Sequence, residues 1–120
     1  MNTTPKVLIV EDNESLLLLL SHYLSKNYDV HSSKNGLDAM SMMSHGLFPD
    51  VILLDWKMPV MDGQRFLEGL RMSSIYQNIP VIIISGNKEH PEELGEGIAY
   101  SFCKPFNPKQ LEQKITEILV

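Results

Sequence analysis

Glu11 and Asp12 follow a short apolar run, Asp55 closes another, Ser85 and Gly86 follow a third, and Lys104 and Pro105 follow a fourth. Three carboxylates, a hydroxyl and an ammonium at the ends of apolar segments are the side chains best placed to do chemistry. Carboxylates packed within about 4–6 Å repel, so at neutral pH one must take up a proton or a cation must sit among them. A divalent ion is the simpler answer. Mg2+ suits it, because it binds through one or two carboxylates, keeps several waters and completes its octahedron with phosphoryl oxygens. A carboxylate at the centre of such a pocket can attack a phosphoryl donor and form an aspartyl phosphate, provided metal and lysine neutralise the growing charge.

Elements that could gather these residues are visible in the periodicity. Short runs rich in Val, Ile and Leu predict strands over 6–10, 28–31, 51–54, 81–84 and 100–103, and stretches of helical spacing predict helices over 14–25, 36–44, 63–72, 91–96 and 108–119. Alternation of the two implies a parallel sheet, and unbroken apolar runs suit strands buried on both faces. Right-handed crossovers then place helices on both sides, giving a single-domain, doubly wound α/β sandwich of five βα units. Ligands of such sheets sit beyond the carboxyl ends of the strands, where the candidate residues fall.

Composition narrows the function. The 120 residues are the length of one domain, and 43% hydrophobic with 21% charged is ordinary for a folded unit, against disorder or fibre. Ten Lys and Arg stand against 15 Asp and Glu, a formal net charge of -5 with no basic run, which argues against direct nucleic-acid binding. Cys103 is the single cysteine, so no intramolecular disulfide forms. Only Val7 to Val10 precede Glu11 as an apolar segment, too short for a signal-peptide core, and the longest aliphatic run, Leu16 to Leu20, is far short of a membrane span. The expectation is a cytoplasmic protein without a membrane partner.

The segments Val7-Leu8-Ile9-Val10-Glu11-Asp12-Asn13, Asp50 to Gly63 (DVILLDWKMPVMDG), Ile82-Ile83-Ile84-Ser85-Gly86 and Lys104-Pro105-Phe106 resemble the response-regulator receiver domain, chemotaxis-regulator-like, in order and over essentially the whole chain. The resemblance implies a flavodoxin-like strand order and one receiver domain over 1–120. It implies that Asp55 is the phosphoacceptor, that Asp12 binds Mg2+ directly, and that Glu11 reaches it through water. The main-chain carbonyl of Lys57 is the implied third protein ligand. It further assigns Ser85 as the switch hydroxyl, Lys104 as the phosphoryl-pairing lysine and Lys104-Pro105 as a cis bond. Implied partners are a histidine kinase or histidine phosphotransfer protein and a downstream effector protein or domain. The implied signalling face is made by the fourth helix, last strand and last helix, and a homodimer through it is one assembly the family allows. Such a domain is no enzyme toward external substrates, though it assists its own phosphorylation and dephosphorylation.

Other features point elsewhere or nowhere. Ser101 stands where the family usually carries an aromatic switch residue, and Tyr100 and Phe102 beside it should face the opposite side of the strand. This departure keeps open an alternative, a receiver-like interaction module working without phosphorylation. A haloacid-dehalogenase-like phosphatase would want an acid where Lys57 stands, and Glu11-Asp12 would repel a flavin phosphate. Asp62 is expected to cap the third helix and Gly63 to permit close packing. His22, His31, His45 and His90 have no metal-ligand spacing, Cys103 is expected to be a small buried hydrophobe, and Met40, Met42 and Met43 to fill core gaps. In the leucine run, Leu16, Leu19, Leu20, Tyr23 and Leu24 form one buried stripe, leaving Leu17 and Leu18 as surplus, partly exposed candidates for a partner contact.

Overall fold

The structure, a computed structural model, describes residues 4–58, 60–86 and 98–120. Five strands, β1 (Lys6–Val10), β2 (Asp29–Ser33), β3 (Val51–Asp55), β4 (Val81–Ser85) and β5 (Ile98–Cys103), form one sheet in the order β2-β1-β3-β4-β5. Every neighbouring pair is parallel. Helices α1 (Glu14–Leu24), α2 (Gly36–Ser44) and α3 (Gly63–Met72) supply crossovers between described strands, and α4 (Pro108–Leu119) follows β5. The helix expected over 91–96 lies outside them.

Alternation along the strands separates two cores. Leu8, Val10, Ile52, Leu54, Val81 and Ile83 face α2 and α3, whose Ala39, Met43, Phe66, Leu67 and Leu70 they bury. Val7, Ile9, Val51, Leu53, Ile82 and Ile84 face α1 and α4, meeting Leu17, Leu20, Leu24, Leu111 and Ile115. Strands β3 and β4 are buried throughout, the burial that their unbroken apolar runs predict. Edge strand β2 carries Ser32 and Ser33, and pairing with β1 extends it to Ser33, two residues beyond the apolar signal. Strand β5 begins earlier than its pattern suggests: Ile98 pairs with Val81 and Tyr100 with Ile82, so Ala99 is an extra residue in an irregular register.

Each described helix begins on an Asn or Asp whose side chain accepts a first-turn amide, Asn13 from Leu16, Asn35 from Asp38, Asp62 from Arg65 and Asn107 from Lys109. The expected role of Asp62 is therefore met. The stripe expected on α1 needs correction. Leu17 is buried at 6% exposure, whereas Leu19 is 53% and Leu18 66% exposed. Leu17, Leu20 and Leu24 face the sheet, with Leu16 and Tyr23 flanking. Five successive leucines leave the helix's rotation undetermined, since a stripe through Leu17 fits the period as well as one through Leu19. Leu18 stays exposed as expected; Leu17 is core.

Candidate functional site

The order β2-β1-β3-β4-β5 puts β1, β3, β4 and β5 side by side, so the residues at their carboxyl ends share one edge. Among the described residues, Glu11, Asp12 and Asp55 each offer an oxygen within 4.8 Å of the others. Glu11 and Asp55 are buried, at 1% and 4% exposure, and Asp12 is exposed. The Lys104 ammonium reaches both buried acids, 3.0 Å from Glu11 Oε1 and 3.5 Å from Asp55 Oδ1.

Backbone contacts set these positions. The Glu11 N–H donates to the Ser33 carbonyl at 3.0 Å, and Glu11 Oε2 accepts the Asn13 N–H at 3.0 Å. Asn13 thus caps α1 and steadies Glu11, a double role that sequence reasoning missed, although an Asn just before a helical stripe was the available signal. The Lys104 N–H donates to the Ser85 carbonyl at 2.7 Å, bringing β5 to the buried Ser85, and Lys104-Pro105 is cis as expected. Gly63 opens α3 directly against β3. A Cβ there would lie 2.7 Å from the Asp55 carbonyl oxygen and 2.8 Å from Trp56 Cα, so only glycine fits the approach that Gly63 N–H to Trp56 carbonyl, 3.0 Å, requires.

Charge in the pocket is out of balance. Burial above all, then the hydrogen bond and charge of Glu11 and the hydrogen bond of Asp12, push the Asp55 carboxyl from 3.8 up to about 8, with Lys104 opposing. Burial alone would lower the Lys104 ammonium, but Glu11 and Asp55 together hold it above its ordinary 10.5. Three acids with one ammonium leave a deficit of positive charge among hard oxygen donors. That donor set fits a divalent ion such as Mg2+.

Other candidates separate from this cluster. Lys57 is exposed beyond β3. Ser101 pairs with Ile83 on the α2–α3 side of β5, while Tyr100 and Phe102 pair with Ile82 and Ile84 on the other, their rings 5.0 Å apart. The irregular register precedes Tyr100, so alternation survives and neither ring takes Ser101's place. Cys103 is exposed, not buried, because β5 is the edge strand and its end clears the core. His22 and His45 are exposed and His31 pairs with Asp29 at 3.3 Å; His90 lies outside the described residues. Met43 is core, with Met40 and Met42 packed on it.

A family model described as the response regulator receiver domain matches residues 7–116. The chain belongs to that family. The receiver is 35% identical over 118 residues to sporulation initiation phosphotransferase F of Bacillus subtilis (strain 168), covering 95% of this chain and 93% of that protein. It is 28% identical over 118 residues to the sensor histidine kinase TmoS of Ectopseudomonas mendocina, covering 96% of this chain but 12% of the kinase. Among solved structures, the receiver domain of a sensor histidine kinase from Pseudomonas aeruginosa PAO1 shares the fold at TM-score 0.86 and 24% identity, over 98% of both chains. That structure has a magnesium ion coordinated in its active-site cleft. The present receiver is accordingly a phosphoacceptor signalling domain of the two-component type, a regulator rather than an enzyme of the ordinary kind. No described helix is long and apolar enough to cross a membrane.

Proposed function

We propose that Asp55 accepts a phosphoryl group from a histidine kinase or histidine phosphotransfer protein, and that the receiver, residues 1–120 taken as one cytoplasmic domain, then changes conformation to control an effector. The observation carrying this is the place of Asp55, buried at the end of β3 within one group with Glu11, Asp12 and Lys104. An Asp55 carboxylate oxygen attacks phosphorus, the phosphorus–nitrogen bond of the donor histidine breaks, and the departing imidazole nitrogen keeps the electron pair and takes a proton from solvent. Lys104 pairs with the charge of the transferred group, and the Ser85 hydroxyl donates to one of its oxygens.

Glu11, Asp12, Asp55 and the main-chain carbonyl of Lys57 are the residues that would hold Mg2+. When bound, Mg2+ would supply the positive charge that keeps Asp55 ionised and offsets the negative charge of the phosphoryl oxygens. Burial of Asp55 to 4% exposure keeps bulk water from its carboxylate, and the same residues assist hydrolysis by holding the phosphoryl group for an attacking water.

Intact mass after incubation with a small acyl-phosphate donor tests this. One phosphoryl adduct that needs Mg2+ and disappears in Asp55→Asn is the expected result. An adduct that persists in Asp55→Asn, or forms equally well with chelator present, overturns the assignment. No adduct from either the small donor or a phosphorylated histidine phosphotransfer protein, together with no Mg2+ binding, supports the phosphorylation-independent interaction module instead.

A further inference from the structure

On the side of β5 turned toward α4, three rings stand in a row. Phe106, two residues beyond Lys104, lies 6.1 Å from Phe102, and Phe102 lies 5.0 Å from Tyr100, centroid to centroid, each pair tilted. Phe102 and Phe106 pack on the core that holds Leu111 and Ile115 of α4, whereas Tyr100 is 43% exposed. The Lys114 ammonium, from α4, sits 4.2 Å from the centre of the Tyr100 ring and 2.9 Å from Glu117 Oε2. One end of the row therefore joins the loop that begins with Lys104, and the other ends under a cation at the surface.

Rings in contact at these spacings do not move singly, because a close-packed interior yields by switching between packings rather than by gradual deformation. Lys114 can give up one partner without being stranded, since the ring and the carboxylate both attract its charge. Resting on the reading of Asp55 as the phosphoacceptor and Lys104 as its pairing lysine, we propose that the Phe106–Phe102–Tyr100 row carries the phosphorylation state of the pocket to α4. Drawing Lys104 toward the phosphoryl group moves Phe106, Phe102 repacks against it, and Tyr100 leaves Lys114, which keeps Glu117. The readout then runs on the opposite side of β5 from Ser101 and needs no ring at that position.

Nuclear magnetic resonance of ring-labelled tyrosine tests this, with Mg2+ and a small acyl phosphate in excess. Tyr100→Phe identifies the Tyr100 signal among the four tyrosines, and Tyr76, packed on the opposite core, is the control. The Tyr100 signal should shift as the phosphoryl adduct forms, by more than that of Tyr76. In Phe102→Leu, which removes the middle ring but keeps an apolar side chain, the adduct should still form and the Tyr100 shift should fall below about half. A Tyr100 shift no larger than that of Tyr76, or one that keeps half or more of its size in Phe102→Leu, overturns the proposal. A surface variant gives a second measurement: the Lys114–Tyr100 contact belongs to the unphosphorylated form, so Lys114→Met should speed adduct formation by about two- to fivefold. An unchanged or slower rate overturns it. An adduct on Asp55 without these responses defeats this inference alone, whereas no adduct on the unmodified chain, from this donor or from a phosphorylated histidine phosphotransfer protein, defeats the functional reading beneath it as well.

Discussion

A carboxyl that holds its proton to about pH 8 in the folded receiver, against 3.8 as its ordinary value, makes folding depend on pH. Between those values the folded state binds more protons than the unfolded chain, so stability falls as pH rises through the window. Below it both states are protonated and above it both are ionised, and Asp55 adds no further slope. In chelator, urea unfolding should therefore show stability declining from pH 4 to pH 8, by at most a few kcal/mol, with the decline reduced in Asp55→Asn. Equal slopes in the two proteins would show that Asp55 is ionised throughout. The residues of this pocket were legible in the sequence because each ends an apolar run, and a parallel sheet brings such ends to one edge. The unequal sharing of Lys104 was not, since it depends on tenths of an ångström between side chains from β5, β1 and β3.

Helix α1 shows where periodicity runs out. A leucine at each of five successive positions satisfies every choice of buried face, so only packing against the sheet selects Leu17 over Leu19. Leu17→Ala should cost about 2–4 kcal/mol, and Leu18→Ala less than about 0.5 kcal/mol, in denaturant unfolding. Similar losses for both would place the helix in a different rotation. Strand ends were uncertain for a related reason: pairing with β1 carries β2 into Ser32 and Ser33, and the extra Ala99 starts β5 before its apolar run. Exposure of Cys103 likewise follows from the edge position of β5, which strand order decides and residue type does not. The Asn and Asp caps, by contrast, are local signals, and at Asp62 local chemistry alone predicts the observed bond to Arg65.

At the scale of the molecule, one sheet divides two cores without separating them. Val7, Ile9 and Leu53 pack one way and Leu8, Val10 and Leu54 the other from the same strands, so neither core can dissolve while the strands remain paired. Unfolding should be a single transition, with far-ultraviolet circular dichroism and Trp56 fluorescence coinciding. Leu20→Ala, on the α1 face, should lower stability by about 2–5 kcal/mol and shift both signals together. Two separated transitions would show that the faces melt independently.

Strand β5, which delivers Lys104, lies at the outer edge of the sheet and, among the described strands, follows the others in chain order. Strands β1, β2 and β3 form a contiguous half of the sheet, so a nascent chain can gather Glu11, Asp12 and Asp55 before the codon for their ammonium has been read. Until translation passes residue 104, these acids have no lysine between them. Docking of β5 then supplies two things in one event: it covers the open edge of β4, and it brings the cation that the acids had lacked.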